Sequence, residues 1–213
     1  FFSKFNSDGT RVFATYYGGS KADDIFKITA SDNNNIYIAG SSMSNTSIAT
    51  PASHQPVNAG YSDGFLAKFN KDGIIQWGTY YGGLNNDEIR SIVVDANEKI
   101  YISGNTYSKE NISTNGSHQP ALGSLSPNDA DGFIAKFDQN GNREWATYYG
   151  GSIGDAIYDS KLDSNGNIIC IGSTYSGNNI STANSYKQSN VNSDRDGFLV
   201  KLDPQGNRIW GTY

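Results

Sequence analysis

The sequence predicts an all-β protein, a β-propeller of four-stranded antiparallel blades with about three and a half blades present. The phrase TYYGG occurs three times, and the chain stops inside a fourth copy. The aromatic residues at the equivalent position, Phe13, Trp77, Trp145 and Trp210, are 64, 68 and 65 residues apart. Each period contains short apolar segments separated by turns rich in Gly, Asn and Asp, which indicates strands and hairpins. Repeated small sheets of this kind are typical of radial blades.

Four segments of each period are interpreted as strands, in the order in which they follow the YYGG turn. Alternation in the third segment places Phe65, Ala67 and Phe69 on one face, which is predicted to be core. Steps such as Asp72-Gly73 tolerate the positive φ of tight hairpins. An open β-sandwich is the alternative, but it would not need each loop and aromatic residue to return at the same phase. The four segments are exemplified by residues 91–95, 100–104, 64–69 and 74–81.

The phase of the repeat divides the chain into a half blade and three blades. We expect these residues not to close a propeller alone, because propellers have about 4 to 8 blades. The rest of a longer polypeptide, or partner chains, is therefore expected to complete the ring. The predicted units are a half blade at 1–17 and blades at 18–81, 82–149 and 150–213.

Composition argues against several classes of partner. The net charge is -5, the pI is near 4.9, and Lys and Arg are scattered, so nucleic acid is not expected as a partner. No apolar run reaches the roughly 18 residues of a membrane span. Cys170 is the single cysteine, which excludes an internal disulfide or a multi-thiolate metal site. It aligns with Ile38 and Ile102 and is interpreted as a core residue.

Other repeated polar residues are interpreted as structural. Asp138 and Asp163 begin phrases that match the start of a calcium loop, but neither phrase has the Glu at its twelfth position, so hairpin turns are the better interpretation. Neither a metal nor another cofactor is therefore expected. The acidic pairs after each YYGG turn, such as Asp87 with Glu88, are read as turn caps, because a glycosidase needs one convergent pair and not a copy on each blade.

Two histidines occur in matching SHQP phrases. His54 and His118 share their position with Tyr186 of the third period. An aromatic anchor of the loop accounts for all three residues. A metal ligand or a general base is the alternative.

The string DGFLAKFNKDGIIQWGTYYGGLNNDEIRSIVVDANEKIYISG, at residues 63–104, closely resembles the SBBP β-propeller repeat family. Phrases beginning at Asp131 and Asp196 repeat its first half, so the resemblance covers essentially the whole chain. It implies a propeller of secreted or surface-exposed bacterial proteins, including Asn-rich Bacteroidetes proteins that can carry a type IX secretion signal. An extracellular or bacterial cell-surface location is expected on this ground. The resemblance implies no catalytic residue.

Two functions from different classes remain open. The favoured one is a non-catalytic module that binds glycans or proteins, or a spacer in a large adhesin-like protein. The alternative is a propeller domain of a polysaccharide-acting hydrolase or lyase whose active site needs other parts of the protein. The lack of a convergent His, Asp and Ser set in the sequence favours the first.

The long loops between second and third strands are expected at the same end as the YYGG connectors, because antiparallel strands alternate in direction. These loops comprise residues 43–62, 107–130 and 175–196. Binding residues concentrate on loops held by a rigid scaffold. The candidate binding residues are Tyr81, Asp87, Tyr107, His118, Tyr149, Tyr175 and Tyr186.

Overall fold

The computed structural model describes residues 1–190 and 194–213, so three residues of the third long loop lie outside the described part. The described residues form fourteen β-strands and no helix. The strands are β1 (Phe2–Phe5), β2 (Arg11–Thr15), β3 (Asp23–Ala30), β4 (Ile36–Ser42), β5 (Asp63–Phe69), β6 (Ile75–Tyr81), β7 (Asp87–Val94), β8 (Ile100–Thr106), β9 (Asp131–Phe137), β10 (Arg143–Tyr149), β11 (Asp155–Leu162), β12 (Ile168–Thr174), β13 (Asp196–Leu202) and β14 (Arg208–Thr212).

The strands pair antiparallel with their neighbours in sequence. They form a two-stranded sheet, β1-β2, and three four-stranded sheets, which we call sheet I (β3 to β6), sheet II (β7 to β10) and sheet III (β11 to β14). The first strands of adjacent sheets contact each other, β3 with β7 and β7 with β11. The all-β propeller architecture with four-stranded antiparallel blades is thereby confirmed. The expectation that further strands complete the ring stays a prediction.

The first strand of each sheet is longer than predicted. The sequence placed this strand at 91–95 in sheet II, whereas β7 begins at Asp87. A β-bulge at Arg90 lies between its two paired halves, since the register with β8 shifts between Ile89 and Ser91. Equivalent shifts occur in β3 and β11. A bulge adds one residue to one strand and breaks the alternation from which the prediction was made.

The hydrophobic core lies between the sheets. Phe65, Ala67 and Phe69 of β5 are buried as predicted, but Leu66 on the opposite face is buried as well. Phe65 belongs to the cluster between the two-stranded sheet and sheet I, whereas Leu66 belongs to the cluster between sheets I and II. Each internal sheet is thus covered on both faces. Cys170 is buried in the third such cluster, between sheets II and III.

One end of the molecule, the turn end, carries the tight hairpins. Gly73 and Gly141 have φ values of 79° and 82°, as expected for these turns. Asp138 closes its turn because its Oδ1 accepts the amides of Asn140 at 2.8 Å and Asn142 at 2.9 Å. This is the hydrogen bonding of an Asx turn, as predicted for the calcium-like phrases.

The opposite end, the loop end, carries the long loops and the YYGG connectors. The predicted association of these two elements is confirmed: the amide of Asn85, in a connector, donates to Ser108 Oγ at 3.0 Å. Ser152 of the next connector donates through its amide to Asn178 Oδ1 at 3.0 Å. Within the described part of the chain, no helix is long and apolar enough to cross a membrane.

Candidate binding site at the loop end

Three adjacent clefts lie at the loop end, and Tyr107 contributes to the wall of each. Their volumes are about 320, 360 and 240 Å³. We call them the Tyr107 clefts. The first is also lined by Tyr61, Asn86 and Glu88, the second by Tyr61, Leu84, Asn85, Asn86 and Asn128, and the third by Asn128, Asp129, Tyr158, Tyr175 and Arg195.

Backbone contacts hold Tyr107 in place. Its amide donates to the carbonyl of Asn86 at 3.0 Å, and its carbonyl accepts Asn85 Nδ2 at 3.0 Å. Ser62 forms an isolated parallel bridge with Asn86, which ties the long loop of sheet I to the same connector. The clefts therefore lie at a junction of a long loop, a YYGG connector and a strand end, and their walls are ordered by main-chain bonds.

The clefts combine exposed aromatic rings with side-chain amides. Tyr61 is 69% exposed, Tyr107 36% and Tyr175 44%. Exposed tyrosine offers a flat apolar face and a hydroxyl that donates and accepts hydrogen bonds. Asn86 and Asn128 offer both donors and acceptors on their amide groups. Such a surface suits a ligand with apolar faces and many hydroxyl groups.

Two of the predicted binding residues are core residues. Tyr81 and Tyr149 are completely buried, because each lies beneath the long loop of the following sheet. The hydroxyl of Tyr81 donates to the carbonyl of Ile112 at 2.6 Å, and that of Tyr149 donates to the carbonyl of Ile180 at 2.5 Å. Burial raises the pKa of Tyr149 to about 12. The prediction that these two residues face a ligand is wrong.

Asp87 is also buried, and it caps the connector instead of facing solvent. Its Oδ2 accepts the amide of Gly83 at 2.7 Å and Ser108 Oγ at 2.8 Å. Asp155 makes the same bonds to Gly151 and Ser176. The interpretation of these aspartates as turn caps is confirmed. Asp87 lines the first Tyr107 cleft, but it is only 1% exposed, because the connector and the loop engage its Oδ2.

A second carboxylate lies beside each of these caps. Asp63 and Asp87 flank Gly82 so closely that a Cβ on that glycine would lie 2.7 Å from both side chains. Asp131 and Asp155 flank Gly150 in the same way. Each of the four carboxylates has one buried oxygen without a hydrogen-bond partner in the described part of the chain.

Burial raises the pKa of these carboxyls. It raises the pKa of Asp63 to about 6 and that of Asp87 to about 7, and the charge of Asp63 adds to the rise at Asp87. Burial, with the charge of Asp155, also raises the pKa of Asp131 to about 7. Two carboxyls in this state can share a proton. Asp87 and Asp155 line Tyr107 clefts but are only 1% and 3% exposed, so the pairs present little carboxylate surface to a substrate.

The histidines pack as aromatic residues. His54 lies against Phe137 of sheet II, with 5.6 Å between ring centroids, and His118 lies 6.1 Å from Tyr149. Burial lowers the pKa of His54 to about 4 and also lowers the pKa of His118. The interpretation as loop anchors is confirmed for these two histidines and is wrong for Tyr186, which is 98% exposed. His118 does not line the Tyr107 clefts.

The remaining candidates divide into two groups. Tyr107 and Tyr175 line the clefts, whereas Tyr186, although 98% exposed, lines none of the three. Sequence reasoning missed Tyr61 and Tyr158, which have no tyrosine counterpart in the other periods. The presence of a tyrosine in only one period could have indicated a binding site that the other periods do not share.

The described residues contain no group of three or more His, Cys, Asp or Glu side chains that could hold a metal ion. The paired aspartates are two ligands without a third, and Asp138 is engaged in its own turn. The expectation that the protein needs no metal or other cofactor stays a prediction.

The fold and the clefts define a β-propeller whose sheets are joined by buried tyrosines and aspartates and whose loop end carries three clefts. Residues 12–45 and 76–111 match the family model for the SBBP β-propeller repeat. Each match begins within the last strand of one sheet, β2 or β6, and extends past the second strand of the next sheet, so the repeat includes the connector and its aspartate. No curated protein matches the chain.

Proposed function

We propose that this chain is a non-catalytic glycan-binding module that takes its ligand in the Tyr107 clefts. The observation that carries the proposal is the row of three clefts around one anchored tyrosine, with Tyr61 and Tyr175 exposed on either side. A row of adjacent clefts suits consecutive units of a chain molecule better than one compact ligand.

The chemistry of the walls favours a glycan over a protein ligand. Sugar rings have apolar faces that stack on aromatic side chains, and their hydroxyl groups exchange hydrogen bonds with amides. The clefts supply both groups within a few residues. A protein interface would need a larger apolar centre than these walls provide. Binding of a protein, or a spacer role in an adhesin-like protein, is the outcome to which failure of glycan binding would point.

A catalytic role is the weaker candidate. The carboxylate pairs with raised pKa values are enclosed, and both occur at equivalent places between sheets, as repeated structural elements do. Our proposal includes an extracellular or bacterial cell-surface setting, which rests on the resemblance of the repeats and agrees with a glycan ligand. Accessibility of the protein to an added protease on intact source cells would test that setting.

Affinity electrophoresis through gels that contain single soluble polysaccharides tests the function. Neutral and acidic polysaccharides are compared, and the same mixtures are assayed for new reducing ends and for unsaturated products. We expect at least one polysaccharide to retard the protein with no product formed. Retardation by none of them would contradict glycan binding, and product release would contradict the non-catalytic assignment.

A further inference from the structure

A buried glutamate fills the junction between sheets I and II at the turn end. Glu98 belongs to the turn between β7 and β8, has φ of 60° and is 5% exposed. Its carboxylate accepts the hydroxyl of Tyr37, Nδ2 of Asn35 at 3.0 Å and Nδ2 of Asn33 at 3.1 Å, and Lys68 Nζ lies 3.4 Å away. Sheet I thus binds a carboxylate that sheet II supplies.

Burial alone would raise the pKa of Glu98, but hydrogen bonds from Tyr37 and Asn35 and the charge of Lys68 lower it to about 2. The carboxylate is therefore held in its ionised form. A buried anion with several donors around it is stable in that form because each oxygen is hydrogen-bonded.

The junction between sheets II and III has the same arrangement of a lysine, a tyrosine ring and a backbone carbonyl, which we call the frame. Lys68 Nζ lies 5.4 Å from the centre of the Tyr37 ring, and Lys136 Nζ lies 5.2 Å from the centre of the Tyr101 ring. Lys68 donates to the carbonyl of Gln139 at 3.4 Å. Lys136 donates at 3.2 Å to the carbonyl of Pro204, the equivalent residue in the next sheet.

The carboxylate is missing from this second frame. Gly166, with φ of 77°, occupies the turn position that Glu98 occupies in sheet II. In place of a side chain there is an open cleft of about 690 Å³, a size typical of ligand sites. Its walls include Lys99, Tyr101, Lys136, Leu162, Gly166 and Pro204. We call it the Gly166 cleft.

The hydroxyl of Tyr101 is the second sign of a ligand. Tyr101 is 1% exposed and lines the cleft, and its hydroxyl has no hydrogen-bond partner among the residues that the structure describes. Its counterpart Tyr37 donates to Glu98. A tyrosine hydroxyl in the wall of a cleft can donate to a ligand, and here it lacks the carboxylate acceptor that Tyr37 has at the other junction.

Two lysines at the cleft share one carboxylate. Lys99 and Lys136 both pair with the single carboxylate of Glu144. Asp163 pairs with Lys201 at 2.7 Å. The negative charge of Asp95 would repel an anion, but its Oδ1 already accepts the amides of Asn97 and Lys99 at 2.8 and 2.9 Å.

We propose that the Gly166 cleft binds a carboxylate group of a small ligand, such as a uronic acid, in the position that Glu98 occupies at the other junction. The Tyr101 hydroxyl and the Lys136 ammonium donate to the carboxylate, and Leu162 and Pro204 contact the apolar part of the ligand. The site lies at the turn end and is separate from the Tyr107 clefts, so either site can fail without the other.

Nuclear magnetic resonance titration with glucuronate, with glucose as the matched neutral ligand, tests the site. We expect glucuronate to shift the amide signals of residues 101, 136 and 166 saturably, and glucose to leave them unchanged. Equal shifts with both sugars, or no saturable shift with glucuronate, would overturn the proposal. An acidic peptide that shifts the same signals more tightly than glucuronate would assign the carboxylate to a protein and overturn the small-ligand class.

Reciprocal variants test the comparison of the two junctions. A Cβ at Gly166 would meet only Pro204 Cγ at 3.8 Å, and Glu98 adopts a positive φ of 60° at the equivalent position, so Gly166→Glu can be accommodated and should abolish glucuronate binding. Lys136→Met should weaken binding at least tenfold, and Asp95→Ser, which places serine where sheet I has Ser31, should strengthen it. Gly166→Glu that remains folded and binds as tightly as wild type, or Asp95→Ser that binds more weakly, would contradict the proposed site.

Discussion

Two sets of tyrosines lie at the loop end, and they differ in what surrounds them. Tyr81 and Tyr149 donate to carbonyl groups of the following sheet's loop and are buried. Tyr61 and Tyr107 line open clefts. The difference lies in what covers each ring: a loop of the following sheet encloses Tyr81 and Tyr149, whereas Tyr107 and its counterpart Tyr175 are 36% and 44% exposed, so recurrence in the repeat does not by itself decide whether a tyrosine is core or surface.

Truncation of a buried tyrosine tests the structural half of this comparison and has the largest expected effect. Tyr81→Ala should lower the free energy of unfolding by about 3 to 5 kcal/mol, because it leaves a cavity between sheets I and II. Tyr81→Phe should lower it by about 1 kcal/mol, since the carbonyl of Ile112 then keeps only Arg143 Nη1, at 3.1 Å, as a donor. Urea unfolding followed by tryptophan fluorescence measures both.

The matched control is Tyr107→Ala, which removes an aromatic ring of the same size from the same end. We expect it to change the free energy of unfolding by less than about 1 kcal/mol, because the ring is partly solvated in the native state. A loss as large as that of Tyr81→Ala would show that both sets of tyrosines serve the core, and the comparison would fail.

The carboxylates beneath the connectors should make stability depend on pH. Because the pKa of Asp131 is raised to about 7, the folded protein keeps this proton between about pH 4 and pH 7 while the unfolded chain has lost it. Folding then takes up a proton, so the stabilisation is largest at the acidic side and is lost as pH rises through 7. Its contribution is on the order of 4 kcal/mol, because each unit of pKa difference is worth about 1.4 kcal/mol.

Asp131→Asn, which keeps the shape and removes the titration, isolates this group. Urea midpoints of wild type and variant are compared from pH 4.5 to 8. We expect the urea midpoint of the variant minus that of the wild type to increase with pH. His54 titrates in both proteins and therefore does not contribute to this difference. A difference that stays constant across the range would show that the folded and unfolded states bind this proton equally.

Most of the fold could be predicted from the sequence because each strand and turn pattern, weak by itself, occurs in several copies of the repeat. The Asp-Gly and Asn-Gly hairpins, the third strand and the loop end were all visible in several copies. The length of the first strand could not be predicted, because the β-bulge at Arg90 interrupts the alternation of residues between the two faces of the strand.

The candidate site was predicted only in part. Tyr107 and Tyr175 were correctly predicted to lie at the site. Tyr81 and Tyr149 were wrongly placed on the surface, because the local sequence does not distinguish an exposed loop residue from a residue at a covered strand end. Their burial depends on a loop of the following sheet, which is about 30 residues away in the chain. Tyr61 was missed because its surroundings come from three separate segments.

The most direct test of the account is the affinity of the Tyr107 clefts for the glycan that retards the protein, measured by isothermal titration calorimetry on paired variants. The account predicts that Tyr107→Ala weakens binding at least tenfold, while Tyr186→Ala, which removes an even more exposed tyrosine outside the clefts, binds within twofold of wild type. Wild-type affinity in folded Tyr107→Ala would contradict the account.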